Sequence, residues 1–62
     1  MAWVKVEYDD ILRATEKAVL VLIDDDEIWL PNSQLDADYS DSVGKGSGHM
    51  FVTEWIAQEK EL

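Results

Sequence analysis

The chain contains no cysteine and a single histidine, His49, among its 62 residues. Without thiols there is no disulfide to staple a small fold, a composition suited to a reducing compartment. One imidazole gives no second histidine for a zinc pair. Ser33, Ser40, Ser42 and Ser47 have no partnering base in view, so no nucleophilic triad is expected. Proline occurs once, and all three glycines fall between positions 44 and 48. Cations are scarce as well. Five Lys and Arg face fourteen Asp and Glu, a net charge of −9. A field of that sign repels nucleic acid and anionic membranes and attracts basic proteins. The longest apolar run, Ala18 to Ile23, is far below the roughly 20 residues of a membrane span. The start of the chain, Met1 to Lys5, lacks the basic and apolar regions of a secretory signal.

What remains is a folding composition: 47% hydrophobic residues, with three Trp, two Tyr and one Phe. That is too apolar for a disordered acidic tail. The length allows one domain, residues 1–62. A core of this size rarely supplies more than about 3–5 kcal/mol, so a second chain is the simplest further source of stability.

The patterning is that of short strands. Val4, Val6 and Tyr8 alternate with Trp3, Lys5 and Glu7, the period of a half-buried strand. Asp9-Asp10 interrupts it as a turn or bulge, and Ile11 to Thr15 reads as extended or as a short helical turn. Thr15-Glu16-Lys17 is a turn. Ala18 to Ile23 is apolar on both faces, which predicts a central strand covered on both sides. Asp24-Asp25-Asp26 makes a tight connection to Glu27-Ile28-Trp29-Leu30, the return strand of a hairpin. Pro31 ends the regular pairing, and Asn32-Ser33-Gln34 turns Leu35 back to the core. Residues 36–48 are rich in Asp, Gly and Ser and predict a flexible acidic loop, with Val43 as its one clearly buried candidate. His49 to Val52 resumes a strand. Thr53 caps a terminal helix over Glu54 to Leu62, docked through Trp55 and Ile56. The expected fold is mainly β with some α. It is a small antiparallel curled sheet of three or four strands, or an SH3-like partly open barrel, with a short C-terminal helix.

No catalytic residue, metal ligand or cofactor site is expected. Asp24-Asp25-Asp26-Glu27 is dense in carboxylate, but consecutive side chains diverge and seldom converge on one ion. Asp36, Asp38 and Asp41 miss the spacing of a calcium loop, with Asp41 at the glycine position and Ser47 at the glutamate position. Gly44-Lys45-Gly46-Ser47-Gly48 has the wrong order for a phosphate loop. Side chains two apart on a strand share a face about 6.8 Å apart, so Glu7 with Asp9, and Asp24 with Asp26, would form rows of charge. Such rows suit the Arg and Lys that elsewhere grip phosphates. Trp29 and Trp3 are the candidate apolar anchors beside them. The expected partner-binding set is therefore Asp24, Asp25, Asp26, Glu27 and Trp29, with Asp36, Asp38 and Asp41 on the loop and Trp3 at the first strand.

Three segments carry a resemblance: Thr15 to Asp24, Asp26 to Leu35 and Val52 to Lys60. They resemble short proteins encoded by phages, prophages and other mobile elements. In these a hairpin ends in Trp-hydrophobic-Pro-x-Ser-Gln, and a variable loop leads to Glu-Trp-hydrophobic-Ala-x-Glu-Lys. The motifs are structural and imply context more than chemistry: a phage-like origin inside a bacterial cell, hence the cytoplasm. Small acidic proteins of that setting look like inhibitors of host defence, anti-CRISPR proteins among them, some of which mimic DNA. The resulting expectation is a non-enzymatic inhibitor bound to a basic, nucleic-acid-handling host protein, with no direct contact to nucleic acid or membrane. The alternative is a small assembly or accessory module, with homodimerisation as one form.

Overall fold

A computed structural model describes residues 2–62. It contains β1 (Trp3–Tyr8), β2 (Asp10–Ala14), β3 (Ala18–Ile23), β4 (Asp26–Pro31), β5 (Gly48–Thr53) and α1 (Glu54–Glu59). Two 3-10 turns, Asn32–Gln34 and Ser40–Ser42, lie between β4 and β5. The strands form two antiparallel sheets, β1 with β5 and β2-β3-β4. The expected small antiparallel fold with a terminal helix is what forms, with five strands where three or four were expected.

The fifth strand comes from the segment that the sequence left open. Only Asp9 bends; Asp10 already pairs with Leu22, so residues 10–14 are strand. The chain thus passes from one sheet to the other at a single aspartate. Register shifts between Ile11 and Arg13. This bulge lets Ile11 and Ala14, three apart, both face inward, against the period of two.

The core lies between the sheets. Ile11, Val21, Leu30, Met50 and Val52 are each 0% exposed. The alternation in β1 holds: Val6 and Tyr8 are buried, whereas Trp3, Lys5 and Glu7 are exposed. Tyr8 lies opposite Gly48, the first residue of β5. A Cβ at Gly48 would sit 2.7 Å from the Tyr8 hydroxyl oxygen and 3.0 Å from Cζ of its ring. The ring belongs to the core cluster, so a methyl at position 48 would have to displace it, and glycine leaves the space that it fills. Gly48→Ala is expected to cost about 1–2 kcal/mol, the lower part of the overpacking range, read as a lower urea midpoint with an unchanged m-value.

Helix α1 docks through Ile56, as expected, but with Ala57 beside it in place of Trp55. Ile56 and Ala57 are buried, while Trp55 is 61% exposed. Thr53 does cap it, with its hydroxyl oxygen accepting from the Ile56 amide at 3.3 Å. The helix ends at Glu59, earlier than expected. Leu62 N–H donates to the Ala57 carbonyl at 2.8 Å, and Glu61 N–H donates to the Gln58 carbonyl at 3.3 Å. This is the Schellman closure, with Glu61 at φ 57° in the position that glycine favours.

The acidic loop is tied down at several points. Asp36 N–H donates to the Phe51 carbonyl at 3.0 Å, and Gly44 N–H donates to the Ile11 carbonyl at 2.9 Å. Leu35 bridges Val52, and Val43 bridges Ile11. Leu35 is buried, as expected. Val43, the expected buried residue of the loop, is instead 37% exposed, and Tyr39 packs against the core in its place.

Candidate functional site

The β3–β4 hairpin closes with two residues, Asp24 and Asp25, since Ile23 pairs directly with Asp26. Both have positive φ, 50° and 69°. A two-residue connection with this backbone matches the right-handed twist of its strands. Asp24 therefore occupies the turn and forms no straight row with Asp26, contrary to the strand-row expectation. The Asp24 amide donates to Asp9 Oδ2 at 3.1 Å, which fastens the hairpin tip to the bend between β1 and β2. Asp10 Oδ1 accepts from Ile11 N at 2.8 Å and from Gly46 N at 3.2 Å, which fastens the long loop to the same end. Glu7 reaches this region from β1, where it lines a groove together with Asp24, Asp26, Lys5 and Lys60.

One end of the molecule thus gathers Glu7, Asp9, Asp10, Asp24, Asp25, Asp26 and Glu27, half of the fourteen carboxylates. Two of these have internal work, because Asp9 and Asp10 accept backbone hydrogen bonds. Asp24, Asp25, Asp26 and Glu27 are all exposed. Within the described residues no hydrogen bond engages their carboxylates.

The loop aspartates do not join them. Asp36 and Asp38 line a second groove with Ala14, Thr15, Glu16 and Asn32, at the opposite end of the three-stranded sheet. A six-residue strand separates the two ends by about 17 Å. Asp36 is a structural joint: its Oδ1 accepts from Tyr39 Oη at 2.5 Å and from Phe51 N at 3.3 Å. Asp38 Oδ1 accepts from Ser40 N at 2.9 Å. That amide, and then the Ser40 hydroxyl, hold its pKa below the usual 3.8. Asp41 is exposed in the second 3-10 turn.

Burial, followed by the Asp36 carboxylate beside it, pushes the Tyr39 hydroxyl up from 10.0 to about 12. The fold favours the protonated phenol, so this stabilisation is complete below pH 10 and is lost as pH rises toward 12. Ultraviolet titration is expected to place Tyr39 near 12. Asp36→Asn is expected to move its midpoint toward 10 without reaching it, because burial remains. A midpoint unmoved in the variant would show that the carboxylate does not act on the phenol.

The indoles divide as well. Trp29, 45% exposed, stands on the outer face of β4, two positions along the strand from Glu27. Trp3, 49% exposed, lies opposite Thr53, and Trp55 is two residues beyond that threonine. This pair marks the far end of the β1–β5 sheet.

Three contributors escaped sequence reading. Leu20 and Leu22 face outward from β3, and Arg13 flanks Leu20 in the same cross-strand row as Trp29. The even-numbered positions of the Ala18–Ile23 run carry that signal, but which side chains flank Leu20 and Leu22 depends on strand register, which adjacency in the sequence does not give. No three of the His, Asp and Glu side chains among the described residues converge as a metal site would require. No helix among the described residues is long and apolar enough to cross a membrane. Comparison of the chain with protein-family models, with curated proteins and with solved structures gives no match.

Proposed function

We propose that this protein is a non-enzymatic inhibitor of the phage-encoded, anti-CRISPR-like kind, which occupies a basic, nucleic-acid-handling surface of a bacterial host protein. The observation behind this reading is the acidic end, with four exposed carboxylates, Asp24 to Glu27, that hold nothing within the fold. Like charges packed this closely weaken a compact state by self-repulsion. Their concentration at one end is accounted for when a cationic surface neutralises them. Charge then speeds the encounter, and an apolar contact such as Trp29 slows the release. The partner's phosphate-binding Arg and Lys would be covered, which excludes nucleic acid by competition and needs no chemistry.

The test is replacement of the four carboxylates by amides, Asp24→Asn, Asp25→Asn, Asp26→Asn and Glu27→Gln. In a bacterium with active CRISPR immunity, the unaltered chain is expected to restore plaques of a targeted phage. The amide variant is expected to lose that effect while remaining folded by circular dichroism. Full protection of the phage by the variant would defeat the reading.

A second reading, a self-pairing assembly module, is favoured by Trp3 and Trp55. They sit at the end away from the acids, so pairing there would keep two acidic ends apart. Light scattering separates the readings: a stable dimer that Trp3→Ser dissolves would support assembly.

A further inference from the structure

The outer face of the β2-β3-β4 sheet carries an apolar row in which Leu20 is buried, Leu22 is half-buried and Trp29 is exposed. Val19 and Val21 of β3 point into the core, so Leu20 and Leu22 point away from it. Helix α1 packs on β1 and β5. Cross-strand register places Arg13, Leu20 and Trp29 in one row, and Asp10, Leu22 and Glu27 in the next. Leu20 is only 7% exposed, yet it is not part of the core cluster. In register it lies between Arg13 and Trp29, whose indole is 45% exposed. Leu22 is half-buried between two carboxylates.

We infer that this face is the seat of a cationic protein, with Leu22 and Trp29 as its apolar contacts and Glu27 as its charged rim. The inference rests on the proposed reading of the protein as a binder of basic surfaces, and it adds where the partner lies and what holds it. Area and charge select the occupant. Three strands about 4.8 Å apart and about 17 Å long present roughly 250 Å² in projection. A stable interface takes about 800 Å² from each partner, so whatever docks here must also cover neighbouring surface. That neighbour is the acidic end, because Glu27 belongs to both. A second copy would bring −9 against −9, with half of each copy's carboxylates beside the contact. A basic protein turns the same groups into attraction. Glu27 and Trp29 also share a face about 6.8 Å apart. A guanidinium stacked on the indole would reach that carboxylate, a pairing for which Arg is better shaped than Lys.

The probe is a display library of random peptides, selected against the immobilised full chain at low salt. Enriched peptides are expected to combine Arg with apolar residues. Their affinity is expected to fall about tenfold or more in Trp29→Ser and in Leu22→Ser, and to survive largely in Trp29→Phe. The dependence of affinity on salt should stay as it was in all three. Melting curves establish that each variant is folded, and Trp29→Ser, at an exposed position, decides if Leu22→Ser is not. Undiminished binding in Trp29→Ser overturns the inference, and so does enrichment of neutral or acidic peptides or of none. A concentration-dependent dimer that Trp29→Ser abolishes overturns it too, because the occupant would then be a second copy. The four-amide variant reports separately on the proposed function: it should flatten the salt dependence and keep the requirement for Trp29. A salt dependence unchanged by the amides would defeat the functional reading while leaving the Trp29 result standing.

Discussion

Leu30→Ala is expected to leave most of the protein unfolded near physiological temperature. Leu30 is 0% exposed and pairs with Val19. It is the only buried residue of β4, whose other inward apolar side chain, Ile28, is partly exposed. Truncating a fully buried leucine costs about 2–5 kcal/mol, from lost transfer energy and the cavity left behind. A core in a chain of this length supplies about 3–5 kcal/mol in all. The two quantities are of the same size, so one substitution consumes most of the margin. No disulfide is present to limit the loss. The break would begin at β4, an edge strand that pairs only with β3. Release of β4 opens the hairpin and detaches Glu27 and Trp29 from the proposed binding face. Leu30→Met, which conserves volume, should cost less than about 1.5 kcal/mol and remain folded. Urea unfolding followed by circular dichroism measures both. A Leu30→Ala variant melting within a few degrees of the parent would mean that β4 contributes little to cooperative stability.

Local chemistry made much of this fold legible. Alternation marked β1 and β4, a β-branched run marked β3, and a threonine before Glu54 marked the start of the helix. Each signal arises within a few residues of where it is read. Errors appeared where a distant contact decided the outcome. Ile11 to Ala14 is strand because β3 lies beside it, and its bulge removes the period of two that would have marked it. Indoles bury well, which favours Trp55 beside Ile56 as the helix anchor, but Ala57 takes that place: Ile56 and Ala57 face inward and Trp55 stays exposed. Val43 lost the inward place to Tyr39, whose hydroxyl has Asp36 as its acceptor. The acidic site was half legible for the same reason. Sequence adjacency revealed Asp24 to Glu27. Only folding brings Glu7, Asp9 and Asp10 to them and sends Asp36 and Asp38 to the other end of the sheet.

The hairpin tip carries the second large expectation, in which stability and binding move in opposite directions. Asp24 and Asp25 have φ of 50° and 69°. An L-residue in this region costs about 1–2 kcal/mol, somewhat less for aspartate, whose short polar side chain can hydrogen-bond locally. Asn-Gly is the sequence that suits such a turn best. Asp24→Asn with Asp25→Gly should therefore relieve backbone strain and remove two like charges beside Asp9 and Asp26. The Asp24 amide that donates to Asp9 is retained, so the tip keeps its attachment to the bend. The expected gain is about 1–2 kcal/mol from the backbone. For a domain of this size each kcal/mol raises the melting temperature by about 4–8 °C. Affinity for a cationic partner should fall, because the tip loses two of its four free carboxylates. Salt separates the two contributions. Near 1 M salt the screening length shrinks to about 3 Å. The difference in affinity between parent and variant should then narrow, while the gain from the backbone persists. A variant more stable at every salt concentration and equally tight in binding would show that the aspartates of the turn serve neither the fold nor the partner. The opposite pattern, greater stability bought with weaker low-salt binding, is what a tip strained for the sake of its charge must give.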